Sequence, residues 1–119
     1  SINKSKMNTK TKFDIIYTDE AIDFLNSLDP KVKDKVIYNI DKSRYVLDKD
    51  LFKKLGDSDI WEFRTKYQNI SYRLLAFWDN RNSSIVIATH GFVKKTQKTP
   101  KKEIAKAEEI RKQYFDTKQ

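Results

Sequence analysis

Between Ile60 and Trp78 two β-like runs are separated only by Gln68-Asn69, and each carries an arginine inside an otherwise apolar pattern. A two-residue loop fixes the register of a hairpin. It sets Tyr67 opposite Ile70 and, further from the turn, Arg64 opposite Arg73. Side chains alternate across a strand, so one side carries Trp61, Phe63, Thr65 and Tyr67 with Ile70, Tyr72, Leu74, Ala76 and Trp78. The other carries Glu62, Arg64 and Lys66 with Ser71, Arg73, Leu75 and Phe77. The first side reads as core, with Trp61 and Trp78 packed inside rather than stacking on bases. Both arginines then project from the opposite side, where like charges face each other at a cost. An anion to bind, or Glu62 as a shared carboxylate, would offset that cost. Exposed strands also carry Lys and Arg simply to resist edge-to-edge pairing, an alternative reason for Lys66 and for Arg64. Arg73, between Tyr72 and Leu74 in the most apolar run, needs a functional reason.

The remaining chain builds around this hairpin. Phe13 to Tyr17 reads as a strand, and Thr18, Asp19 and Glu20 supply a cap and negative charge for a helix start. Ala21, Ile22, Phe24, Leu25 and Leu28 keep helical spacing up to Asp29. Asp29-Pro30 restarts a helix running to about Leu47, with Val32, Val36, Ile37, Ile40 and Leu47 on its buried side. So short a break predicts an N-terminal helical hairpin. Asp48 to Asp59 reads as loop, with Gly56 as a turn. A third hairpin-side strand, Ile85 to Thr89, ends in His90-Gly91-Phe92-Val93-Lys94-Lys95-Thr96-Gln97-Lys98, and Thr99-Pro100 starts a C-terminal helix bearing Ile104, Ala107, Ile110 and Tyr114 on one side. The expected order is β-α-α-β-β-β-α, an α+β domain over residues 13–119 with an antiparallel-rich sheet, preceded by a flexible segment over residues 1–12.

Composition narrows the chemistry. The charge is +8, from 25 Lys and Arg against 17 Asp and Glu, which favours a polyanionic partner: RNA, DNA, an acidic protein or an anionic membrane surface. There is no cysteine and one histidine, so no thiolate nucleophile and no multi-histidine metal centre can form. No cofactor and no metal are expected. No apolar run approaches a bilayer span, and Ser1 to Lys12 has no apolar centre of the signal-peptide kind, so a cytoplasmic protein is expected. His90 has the natural pKa for proton transfer, although a lone histidine more often satisfies a hydrogen bond than does chemistry. Lys94, Lys95 and Lys98 leave the last strand beside the two arginines, which turns a basic run into a candidate binding loop.

At these residues the chain resembles the RelE/ParE superfamily of toxins from type II toxin–antitoxin systems, in its phage-derived HigB-like branch. Trp61-Glu62-Phe63-Arg64, Tyr72-Arg73-Leu74, and His90-Gly91-Phe92 followed by Lys94-Lys95-Thr96 and Lys98-Thr99-Pro100 carry the resemblance, over about Phe13 to Tyr114. It implies a ribosome-dependent mRNA endonuclease, or mRNA interferase, working on mRNA in the ribosomal A site and silenced by a small antitoxin, expected to be a helix-turn-helix protein. Cleavage would proceed without metal, by 2′-OH attack on the adjacent phosphate. On that resemblance Arg73 stabilises the transition state, Arg64 supports it, and Lys94 and Lys95 grip phosphate or assist the leaving group. His90 and Glu62 are candidates for proton transfer, and Lys66, Lys98, Thr96 and Gln97 for RNA binding. A lysine pair found in RelE falls at Ile60 and Glu62 here. Two other readings share the fold or the charge: a ParE-like inhibitor of DNA gyrase, and a non-catalytic RNA-binding module of phage origin.

Overall fold

The computed structural model describes residues 10–81 and 84–117. Among them the chain order is β1 (Asp14–Tyr17), α1 (Asp19–Asn26), α2 (Pro30–Ser43), β2 (Phe52–Lys54), β3 (Trp61–Tyr67), β4 (Ile70–Asp79), β5 (Ile85–Lys94) and α3 (Lys101–Thr117). The expected flexible segment lies, for residues 1–9, outside the described residues. The helical hairpin forms where its caps are written. The Thr18 hydroxyl accepts from the Ala21 amide, and the Asp29 carboxylate accepts from the Lys31 amide with Pro30 in the first turn. α2 stops at Ser43 rather than Leu47, and Tyr45, Val46 and Leu47 continue as exposed chain.

The strands lie in the order β1-β5-β4-β3-β2. Tyr67 pairs with Ile70 and Arg64 with Arg73, in the expected register. Gln68 (φ 50°) and Asn69 (φ 66°) are both left-handed, the backbone that a two-residue turn of matching twist requires. The sheet is mixed, because β1 runs parallel to β5 while the other pairs are antiparallel. Two features of the sheet depart from expectation. Phe52–Lys54 is a strand, not loop, pairing Phe52 with Phe63 and Lys53 with Glu62; three residues are too few to show alternation. β5 continues past Thr89 to Lys94, because β4 is long enough to pair Arg73 with Phe92 and Ser71 with Lys94.

Two cores sandwich the sheet. α1 and α2 cover one side, where Phe13, Phe52, Phe63, Trp61 and Trp78 pack ring on ring, Phe52 and Phe63 stacked at 4.2 Å. The Asn39 amide crosses from α2 to donate to the Thr65 hydroxyl at 3.2 Å. Gly91 has a steric reason on this side: a Cβ there would lie 2.2 Å from the Phe24 ring of α1. On the other side α3 lays Ile104, Ala107, Ile110, Tyr114 and Phe115 over Ile60, Leu75, Phe77 and Ile87. The side that bears the arginines is therefore half core, and only its Arg64/Arg73 end stays open. Ile22, Ile37, Leu47 and Ile70, expected inside, are exposed instead.

Candidate functional site

Strand alternation and pairing bring Lys53 of β2, Glu62 and Arg64 of β3, Arg73 of β4 and Lys94 of β5 to the same side of the sheet. They meet at Glu62. Its carboxylate is buried, with Oε1 accepting from the Thr99 hydroxyl at 2.7 Å and lying 3.4 Å from Arg73 Nε. Oε2 lies 3.4 Å from Arg64 Nε. The carboxylate thus stands between two guanidinium groups that would otherwise repel each other across the hairpin. The pairing is electrostatic rather than hydrogen-bonded: Nε of both arginines is buried without a hydrogen-bond partner among the described residues. Arg64 donates from Nη1 to the Lys49 carbonyl and Arg73 from Nη1 to the Tyr72 carbonyl. A buried N–H without a hydrogen bond is costly, and the Glu62 carboxylate offsets that cost here only through charge.

The local field also acts on proton affinity. Burial lowers the pKa of Arg73, Glu62 opposes that shift, and Arg64 adds to it. The Lys94 ammonium is held below the ordinary lysine range, by burial first and then by Arg73, with Glu62 opposing and Arg64 and Lys53 adding. A lysine so placed releases its proton more readily than one in water.

Two openings give access. A cleft of about 950 Å³ is lined by Lys53, Glu62, Arg64 and Lys94 together with Thr96, Gln97 and Lys98. A recess of about 260 Å³ is lined by Lys66, Ser71 and Arg73, and shares Arg64 with the larger one. Glu62, Arg64, Lys94, Thr96, Gln97 and Lys98 of the sequence-derived set therefore share one cleft, while Arg73 and Lys66 stand at the adjoining recess. Lys95 is exposed beyond the end of β5 and lines neither.

His90 is not in the cleft. It is 3% exposed, with Nε2 3.0 Å from Glu103 Oε1 of α3 and Nδ1 3.1 Å from the Thr89 hydroxyl. It lies under α3 because it pairs with Leu75, which that helix covers; a β-bulge sets this pairing, since the next residue, Ala76, pairs with Ala88 and leaves Thr89 as the extra residue. Burial lowers its pKa, against the Glu103 hydrogen bond. Its place is structural, fixing α3 to the sheet. Lys53 and Thr99 belong to the site although the sequence offered little for either. Lys53 sat in a stretch read as loop, and Thr99 was expected to start α3, whereas its hydroxyl goes to Glu62.

Among the described residues no group of three His, Cys, Asp or Glu side chains is placed to hold a metal ion, and no helix is long and apolar enough to cross a membrane.

The family model described as phage derived protein Gp49-like matches residues 23–112. Among solved structures, the chain is similar to a mutant of the E. coli toxin RelE in the free state, with TM-score 0.59 and 14% identity, covering 83% of this chain and 97% of that one. It is also similar to the intact E. coli RelBE toxin–antitoxin complex, with TM-score 0.53, 13% identity, and coverage of 71% and 99%. No curated protein sequence matches. At such identities the structural likeness speaks for the fold.

Proposed function

The chain belongs to the phage-derived Gp49-like family and has the RelE fold, and from that premise we propose that it is a toxin that cleaves mRNA on the ribosome and is held in check by a cognate antitoxin. One observation carries the reading: two guanidinium groups flank a single buried carboxylate at the edge of a cleft, beside a lysine of weakened proton hold.

The chemistry assigned to this arrangement is transfer of the phosphodiester to the neighbouring 2′-oxygen. A phosphate entering the cleft competes with Glu62 for Arg64 and Arg73. The planar forks of the arginines match its non-bridging oxygens and stay charged as the phosphorane develops. Drawn off the carboxylate, they leave Glu62 free to accept the 2′-OH proton. Lys94 delivers a proton to the departing 5′-oxygen, leaving a 2′,3′-cyclic phosphate and a 5′-hydroxyl. Lys53, Lys98 and Lys66 hold flanking phosphates, with Thr96 and Gln97 as polar contacts. The antitoxin finds protein-binding surface elsewhere, since Tyr38 (60% exposed) and Leu47 (75% exposed) leave apolar surface along and beyond α2.

The test is induced expression of the chain and of its Arg73→Ala variant, with mapping of mRNA ends and a gyrase supercoiling assay on the purified proteins. The proposal expects growth arrest and new mRNA ends with the parent, neither with the variant, and unchanged supercoiling with both. Arrest with intact mRNA and blocked supercoiling would replace it with the gyrase reading.

A further inference from the structure

The cleft is larger than a phosphate needs, and part of its lining is apolar. Besides the cations, Leu55, Pro100 and Ile104 line it, together with Gly56 and Asp57 of the β2–β3 turn. Volumes of several hundred Å³ with apolar walls and a few polar groups suit a planar organic group better than an ion. The turn is also held in shape. Gly56 takes φ +53°, the Ser58 hydroxyl donates to the Leu55 carbonyl at 2.7 Å, and Asp59 faces Arg111 of α3 at 3.6 Å.

Asp57 is the anomaly in this setting. It is exposed, it borders a cleft whose other ionised groups are mostly cations, and it makes no hydrogen bond or ion pair among the described residues. Its neighbour Lys54 gives its ammonium to the Gly56 carbonyl at 2.7 Å instead. A carboxylate there opposes phosphate entry within the screening distance, so it serves a donor rather than an anion. In single-stranded RNA the available donors are the Watson–Crick edges of unstacked bases. A carboxylate takes two parallel donors best, and guanine alone offers an adjacent ring N–H and amino group.

We infer that the apolar lining of the cleft at Leu55, Pro100 and Ile104 forms a nucleobase pocket, in which Asp57 selects guanine in a nucleotide near the phosphate held by Arg64 and Lys94. The inference rests on the RNA-cleaving reading of the same cleft and adds a base preference to it.

The experiment maps cleavage sites on translated mRNAs for the parent and for Asp57→Asn. It is run beside binding of short single-stranded RNAs that carry guanine or inosine, which lacks the 2-amino donor, at one position. The expected result is guanine enrichment near the cut in the parent and a drop of about tenfold in that enrichment for Asp57→Asn, with other sites still cut. Inosine weakens binding to the parent and weakens Asp57→Asn no further, because both changes remove the same contact. Asp57 is exposed and unpaired, so the variant keeps the parent's thermal midpoint. Equal base preference in parent and variant overturns the pocket while leaving RNA cleavage standing. A parent that cuts no RNA overturns the functional reading and the pocket together.

Discussion

Replacing Glu62 by Gln tests the heart of the site without any RNA. The carboxylate lies 3.4 Å from Nε of both Arg64 and Arg73 and is 2% exposed. At an effective dielectric constant of about 20, each pair attracts by roughly 5 kcal/mol before desolvation is subtracted. Measured losses on deleting one partner of a buried pair are about 3–5 kcal/mol. The amide can still accept from Thr99, so the low end applies, about 3 kcal/mol. With an unfolding entropy of about 2.1 cal/mol/K per residue over 119 residues, that loss lowers the melting midpoint by about 12 °C. The variant also leaves two guanidinium groups without a counter-ion, which an added anion can replace. A site of about 1 mM affinity regains about 2.3 kcal/mol in 50 mM phosphate, near 9 °C. Differential scanning calorimetry with and without phosphate measures both numbers. A midpoint within about 2 °C of the parent, or a phosphate response no larger than the parent's, would refute Glu62 as the shared counter-ion.

Other outcomes follow from the same geometry. In the proposed reaction Lys94 acts as the ammonium; its pKa is lowered, so single-turnover cleavage is expected to decline on the alkaline side earlier than an ordinary lysine dictates. Lys94→Ala removes that limb from the rate–pH profile and slows cleavage by about 10²-fold or more. His90 takes up a proton less readily folded than unfolded. Its contribution to stability is therefore complete above about pH 6.5 and is lost as pH falls from there towards the folded pKa. His90→Gln flattens that part of a urea-denaturation series and leaves the cleft chemistry in place. Gly91→Ala drives a methyl into the Phe24 ring and costs about 1–3 kcal/mol; adding Phe24→Ala relieves the clash, so the double variant loses less than the two single losses summed.

How far the sequence reached depended on where geometry is local. Arg64 and Arg73 could be placed opposite each other because Gln68-Asn69 admits one tight turn, and a turn determines register for every pair behind it. The caps at Thr18 and Asp29 are likewise local chemistry. β2 escaped notice because its three residues acquire strand character only by pairing with Phe63 and Glu62, and Lys53 was lost with it. The place of His90 was hidden for a subtler reason. One bulge residue, Thr89, changes which way every later side chain of β5 points relative to those before it, and nothing in Ala88-Thr89-His90 announces it. Leu75 and Phe77 were read with the arginines because they share a side; that α3 would cover only their half depends on where a distant helix lands. Thr99 looks like a helix start in sequence, but α3 begins at Lys101 with its Glu103 and Ile104 amides bonded to the Pro100 carbonyl, and the Thr99 hydroxyl is committed to Glu62.

The claim that these cations form a cradle for a scissile phosphodiester meets its most direct test in one rate. Single-turnover cleavage of a ribosome-bound mRNA is measured for the parent and for Arg73→Ala, with circular dichroism confirming that both are folded. Loss of a preorganised donor to a developing oxyanion predicts a rate about 10²–10³-fold lower in the variant. Equal rates from two folded proteins would contradict the account at its base.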